Sequence, residues 1–86
     1  MTFEEWEDTR VRAQDGFKEW LMRDHFGYVP AGWQEVWTYA PGIIVRLDGD
    51  TYFTHIDRSE YTGSRGDVER RLWDDYAKHE VGGCES

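Results

Sequence analysis

The chain has 86 residues and a mass of 10.2 kDa, a length that fits one domain and excludes a second. Eighteen acidic against ten basic residues give a net charge of -8, which disfavours binding to a nucleic-acid backbone or an anionic membrane. Five Trp, five Tyr and four Phe exclude a disordered chain despite a mean hydropathy of -0.85. We therefore expect a folded domain whose partner is another protein with a basic surface, without direct contact to nucleic acid or membrane.

The cysteine content and the first residues of the sequence indicate in which cellular compartment the protein is expected. Cys84 is the only cysteine, so the chain can form neither an internal disulfide nor a cysteine-based zinc site. The first residues show an acidic amphipathic pattern and lack the basic and apolar segments of a signal peptide. These features predict a cytoplasmic location. The oligomeric state is left open by the sequence.

The first predicted element is a helix that starts at Phe3. Thr2-Phe3-Glu4-Glu5 matches a capping box, in which the Thr2 hydroxyl accepts from the Glu5 amide and the Glu5 carboxylate accepts from the Thr2 amide. Helical spacing places several apolar residues on one core-facing stripe: Phe3, Trp6, Ala13, Phe17, Trp20 and Leu21. The helix is expected to continue to about His25, with Gly27 as the residue that stops it, although Gly16 weakens it.

Phe17 is expected to be central to the contact between this helix and the rest of the core. Its substitution Phe17→Ala would then cost about 3–5 kcal/mol of stability.

The next region, from Trp33 to Asp57, is rich in β-branched and aromatic residues and predicts an antiparallel meander of three strands. The strands are expected at about Trp33–Tyr39, Ile43–Leu47 and Thr51–Ile56. Pro41-Gly42 suits the centre of a type II turn, and Asp48-Gly49 is typical of a type I′ hairpin.

Two-residue loops would pair Ala40 with Ile43, Thr38 with Val45, and Val45 with Tyr52. A three-residue loop over 48–50 would instead place Phe53 beside Val45 and exchange the two faces of the third strand.

A polar stretch from Arg58 to Arg65 is expected to be a loop, and a second helix is expected from about Gly66 to Glu80. The predicted fold is therefore α+β, a single small domain with the order αβββα and both helices on one face of the sheet. Residues 1–81 would form this domain. Residues 82–86 would form a mobile C-terminal tail in which Cys84 is unpaired.

With two-residue loops, one face of the sheet is mainly aliphatic and the other mixes aromatic and polar side chains. The second face is predicted to stay partly exposed and to bind a partner through Trp37, Tyr39, Ile44, Arg46, Phe53 and His55. The aromatic and aliphatic members would be the buried anchors, while Arg46 and His55 would orient the partner. This pattern favours a small acidic, non-catalytic protein-binding module, plausibly an inhibitor or adaptor of the kind that phages direct at host proteins.

Two other functions are compatible with the sequence. A nucleic-acid mimic that blocks a nuclease or a DNA-binding protein would need carboxylates aligned on one face, for example Glu4, Glu5, Glu7 and Asp8. A small ligand-binding protein or enzyme would use His55, Asp57 and Glu35 in an aromatic-walled cleft. Two or three such residues without a placed nucleophile are not a catalytic site, so we expect no enzyme activity, no metal and no cofactor.

The C-terminal tail offers a first test. Deleting residues 82–86 should change the free energy of unfolding by less than about 0.5 kcal/mol, because nothing apolar in this segment anchors it. Urea unfolding of the full chain and of the truncated chain measures the difference. A loss of several kcal/mol would show that the segment docks on the domain.

Overall fold

The computed structural model of the chain describes residues 2–39, 42–56 and 58–85, with side chains up to residue 78. The described elements are, in chain order, α1 (Phe3–Glu7), β1 (Val11–Arg12), α2 (Lys18–Phe26), β2 (Glu35–Thr38), β3 (Ile43–Arg46), β4 (Tyr52–Ile56), β5 (Ser59–Gly63) and α3 (Arg65–Glu85). The strands form one antiparallel sheet in the order β1-β2-β3-β4-β5. The α+β class is confirmed for a small compact domain, but the expected three-stranded meander is only the centre of a five-stranded sheet.

The predicted N-terminal helix is interrupted by a strand. Its capping box is present, since the Glu5 amide donates to the Thr2 hydroxyl at 3.2 Å and the Thr2 amide donates to the Glu5 carboxylate at 2.8 Å. The helix ends at Glu7, where the Thr9 hydroxyl donates to the Trp6 carbonyl at 2.6 Å. Short hydroxyl side chains compete in this way with continued helix formation. The prediction of one helix from residue 3 to residue 25 is therefore wrong.

After this interruption the chain adds the edge strand β1 to the sheet. Val11 pairs with Thr38, and the Ala13 amide donates to the Val36 carbonyl at 2.9 Å. The chain then turns into α2, which ends at Gly27 in a left-handed conformation with φ 86°. The expected stop at Gly27 is thus confirmed.

The polar stretch expected to be a loop contains the other edge strand, β5. Ile56 pairs with Ser59, and pairing continues to Tyr52 with Gly63. Arg58 takes a positive φ of 67° in the short connection between β4 and β5. An edge strand with one solvent-facing side can consist mainly of polar residues, so its composition resembled that of a loop.

The register of both predicted hairpins differs from the two-residue pairing. Thr38 pairs with Ile43, a shift of two residues that keeps each side chain on its expected face. At the second hairpin Val45 pairs with Phe53, and the Leu47 amide donates to the Thr51 carbonyl at 2.8 Å. The three-residue loop over 48–50 is therefore correct, and the two-residue alternative is wrong. The predicted turn residues Ala40 and Pro41 lie outside the described residues.

Helices cover both faces of the sheet, in contrast to the expected packing on one face. Val36, Val45 and Phe53 form a buried cluster with Met22 of α2. On the opposite face, a second cluster joins the sheet to α1 and α3 through Trp6, Tyr39, Ile44, Val68 and Leu72. Because β3 contributes to both clusters, three successive residues, Ile43, Ile44 and Val45, are all buried.

The last helix is longer than expected. Its described backbone continues to Glu85 and passes Gly82 and Gly83, which we expected to end it near Glu80. The side chain of Cys84 lies outside the described side chains, and the mobility of residues 82–86 stays a prediction. Within the described residues, no helix combines the length and apolar character needed to cross a lipid bilayer.

The two-faced packing predicts a clear contrast between two substitutions. Ile44→Ala should lower the free energy of unfolding by about 2–5 kcal/mol, because the side chain is fully buried between β3 and the α1/α3 side of the core. Phe17 is more than half exposed, so its expected central place in the core is wrong. Phe17→Ala should therefore cost less than about 1 kcal/mol rather than about 3–5 kcal/mol. Urea unfolding monitored by circular dichroism checks both values. Equal losses for the two variants would contradict this placement of α2.

Candidate functional site

The six predicted binding residues do not share one surface. Trp37, Tyr39, Ile44 and Arg46 face the α1/α3 side of the sheet, whereas Phe53 and His55 lie on the α2 side. Tyr39, Ile44 and Phe53 are buried, and Trp37 is half-buried. The expected exposed aromatic platform is therefore wrong, because the register at the second hairpin moved Phe53 and the terminal helices cover the remaining rings. A role of these residues in partner binding stays a prediction.

Tyr39 belongs to a polar cluster that is buried beneath α1 and α3. Its hydroxyl donates at 2.6 Å to the carboxylate of Glu69, whose side chain is only 2% exposed. Nη1 of Arg10 lies 4.0 Å, and Nε of Arg65 3.5 Å, from the same carboxylate oxygen. Burial, and then the bond to Glu69, raise the pKa of Tyr39 well above its ordinary value. The phenol therefore stays protonated as a donor, and this cluster has a structural role.

Glu7, at the end of α1, extends this cluster. Its side chain forms a hydrogen bond with Glu69, and this bond, followed by burial and the negative charge of Glu69, raises the pKa of Glu7. Arg65 and Arg10 oppose the increase. The Glu7 carboxyl is thus more readily protonated in the folded chain than in the unfolded chain.

Of the residues proposed for an enzyme, the two that the structure describes, Glu35 and His55, are not brought together. Glu35 forms ion pairs with Arg12 and with Lys18, whose Nζ lies 2.6 Å from Oε1. Those contacts, above all the hydrogen bond from Lys18, hold the pKa of Glu35 below its usual value. Asp57 lies outside the described residues. His55 is surrounded by other groups and has no described contact with Glu35.

The surroundings of His55 are aromatic. The ring of Phe26 stacks on the imidazole with 4.6 Å between centroids, and the Tyr28 hydroxyl lies 2.8 Å from Nε2. That hydroxyl donates to the carboxylate of Glu60, so it accepts from Nε2–H of His55. Burial, followed by the bond to Glu60, raises the pKa of Tyr28 to about 12. These contacts tie the chain after α2 to β4 and β5.

Two side chains expected on the core-facing stripe, Phe17 and Trp20, are instead the most exposed aromatic rings among the described residues, so that part of the expected stripe is wrong. Trp20 is 61% exposed and lies on the outer side of α2, and Phe17, the residue before the helix, is 56% exposed. Glu19 and Arg23 flank them on the same helix, with 3.8 Å between Nη2 of Arg23 and Oε2 of Glu19. We call these four side chains the α2 surface.

Helical spacing read from Lys18 rather than from Phe3 would have identified this surface. Lys18, Met22 and Phe26 recur every four residues and form the inner side of α2, with Met22 fully buried. Trp20 lies about 160° from Met22 around the helix and must therefore point outwards. The signal was hidden because the assumed continuous helix placed Trp20 in one stripe with Phe3 and Trp6.

The stretch of sequence that contains the α2 surface is less acidic than the rest of the chain. Residues 10–23 contain four bases and two acids, a formal charge of +2, whereas the remaining residues carry six bases and sixteen acids. Lys18 is buried and balanced by Glu35 and by Asp15, which lies 3.0 Å away. The exposed rings therefore lie in the least acidic part of an acidic protein.

Neither a metal centre nor a family resemblance adds to this description. In the ranges that the structure describes, no three His, Cys, Asp or Glu side chains converge to hold a metal ion. No protein family, curated protein or solved structure significantly matches the chain.

The raised pKa of Glu7 predicts an unusual pH dependence of stability. Because folding raises the pKa of Glu7, its contribution to stability is complete below its unfolded pKa and is lost as the pH rises through its folded pKa. Glu7→Gln should therefore be more stable than the wild type at pH 7, with a difference that shrinks as the pH is lowered towards about 4.

Urea midpoints at several pH values measure this difference. Asp50→Asn, in an exposed turn, removes an equal charge and controls for the change in net charge. A Gln variant that is less stable than the wild type at pH 7 would contradict the raised pKa of Glu7.

Proposed function

We propose that this protein is a small acidic, non-catalytic protein-binding module that acts as an inhibitor or adaptor through the α2 surface. The observation that carries the proposal is the exposure of Trp20 and Phe17 side by side in a chain whose other Trp and Phe rings are at least partly buried within the described structure. Exposed Trp side chains dominate binding energies when a partner buries them. The cytoplasmic location expected from the sequence is part of the proposal.

The support beneath the α2 surface favours a preorganised binding element. Met22 anchors the helix in the core, and Lys18 is fixed at its start by Asp15 and Glu35. The Leu21 amide donates to the Phe17 carbonyl at 2.9 Å and holds the first turn. A helix that is already ordered in the free protein loses little conformational entropy on binding.

The partner that fits is a protein with an apolar pocket and basic residues beyond its rim. The pocket would receive Trp20, while the formal charge of -10 outside residues 10–23 would attract and orient the surrounding basic groups. This arrangement retains the basic partner expected from composition but moves the contact from the sheet to α2.

The alternatives receive less support from the same contacts. Of the four acids at the N-terminus that a nucleic-acid mimic could present, Glu5 caps its own helix and Glu7 is bound to Glu69. For an enzyme, Glu35 is committed to Lys18 and Arg12. Both functions therefore require carboxylates that the fold already uses.

Capture of partners from a cognate lysate tests the proposal. The doubly substituted chain Phe17→Ala, Trp20→Ala should fold like the wild type and bind the captured protein at least about tenfold more weakly in calorimetry. Tyr28→Ala removes another partly exposed ring outside the α2 surface and should retain the affinity. If the double variant binds as tightly as the wild type, the α2 surface is not the binding site.

A further inference from the structure

We infer that the α2 surface also binds a second copy of this chain, with the two α2 helices antiparallel about a two-fold axis. The inference rests on the proposed function, because it assigns an occupant to the same surface when the other partner is absent. Trp20, 61% exposed, lies at the centre of the outer side of α2, opposite the buried Met22. Two such rings meeting at the axis would remove the largest exposed apolar groups of both copies from water.

The charges on α2 are self-complementary in this arrangement. Around the helix, Glu19 and Arg23 lie about 100° and 60° from Trp20, to the same side. The two-fold axis passes between the helices, perpendicular to the plane that contains both of them. It leaves a residue on the same side of the interface in both copies, but it reverses the order of the residues along the helix. With the axis level with Leu21, Glu19 of one copy therefore faces Arg23 of the second copy, and the reverse contact forms as well.

Both charged groups are available for these contacts. Glu19 and Arg23 approach each other only to 3.8 Å within their own helix, and their side chains are 61% and 68% exposed. The α2 surface itself carries one acidic and one basic side chain, so two copies with a charge of -8 repel each other less there than at an acidic face. The charge complementarity and the exposed apolar rings thus both favour a second copy of this chain as the binding partner.

The size of the surface limits the strength of the complex. A helix of nine residues is about 13 Å long and offers less area than the roughly 800 Å² that each partner buries in a standard stable complex. The dimer is therefore weak and reversible, and a protein partner with a deeper pocket for Trp20 competes with it.

Sedimentation equilibrium of the full chain at physiological salt, from about 10 to 500 µM, tests the inference. The wild type should shift from monomer to dimer across this range. Glu19→Arg or Arg23→Glu alone places like charges opposite each other and should weaken the dimer at least about tenfold. The double variant Glu19→Arg, Arg23→Glu should regain the affinity of the wild type.

Mixing the two single variants gives the most specific result. One chain would then present only basic side chains at positions 19 and 23 and the other only acidic ones. The mixture should therefore form a heterodimer that is tighter than the homodimer of either variant. Asp50→Arg changes the net charge as Glu19→Arg does but lies in an exposed turn outside the α2 surface. Asp50→Arg should dimerise with the affinity of the wild type, and it should pair with Arg23→Glu more weakly than Glu19→Arg does, because only one of the two Glu19–Arg23 contacts remains in that pair.

Two outcomes would overturn the inference. A wild type that stays monomeric at the highest concentration shows that the surface does not bind a second copy. A dimer that the single charge reversals leave intact shows that the copies meet elsewhere. In either case the proposed function is judged separately, since capture of another protein that depends on Trp20 and Phe17 does not require self-association.

Discussion

The buried carboxylate of Glu69 is the constraint on which the arrangement of one half of the molecule depends. A charge with 2% exposure is tolerated only when several partners surround it. These partners come from three places: Tyr39 at the end of β2, Arg65 one turn earlier on α3, and Arg10 just after α1. Because all must converge on one point, α1 lies against α3, and the chain leaves the helical path soon after Glu7 to reach the edge of the sheet.

Much of the fold follows from local chemistry in the sequence. The capping box at Thr2, the three central strands and the position of α3 were predictable, because each depends on neighbouring residues. The break after Glu7 was not, because the local bond from Thr9 to Trp6 acts together with the approach of Arg10 to a carboxylate 59 positions away. The register at Val45 and Phe53 could only be narrowed to two alternatives, because Asp48-Gly49-Asp50 suits loops of two and of three residues.

Predicting the candidate site would have required the strand register and the interruption of the first helix, both of which depend on non-local contacts. A one-residue difference in register reverses the faces of β4, and this moved Phe53 from the supposed platform to the core beneath α2. Exposure of Trp20 required knowledge that the helix restarts at Lys18, which sets a new inner side with Met22. The aromatic content correctly indicated a surplus of large rings for so short a chain, but composition cannot tell which of them the core leaves outside.

The covering of β3 on both sides has a consequence for synthesis on the ribosome. The α2 side of the sheet can close once residues up to Phe53 have emerged, since all members of that cluster precede this point. The opposite side of the sheet can be covered only when Val68 and Leu72 of α3 are present. The ring of Trp73 in α3 also packs against Trp6 in α1, with 5.7 Å between the ring centroids. Until α3 has been synthesised, Ile44 and Tyr39 are exposed to water. The nascent chain therefore passes through a stage in which one face of the sheet is packed and the other is an exposed apolar surface that can aggregate.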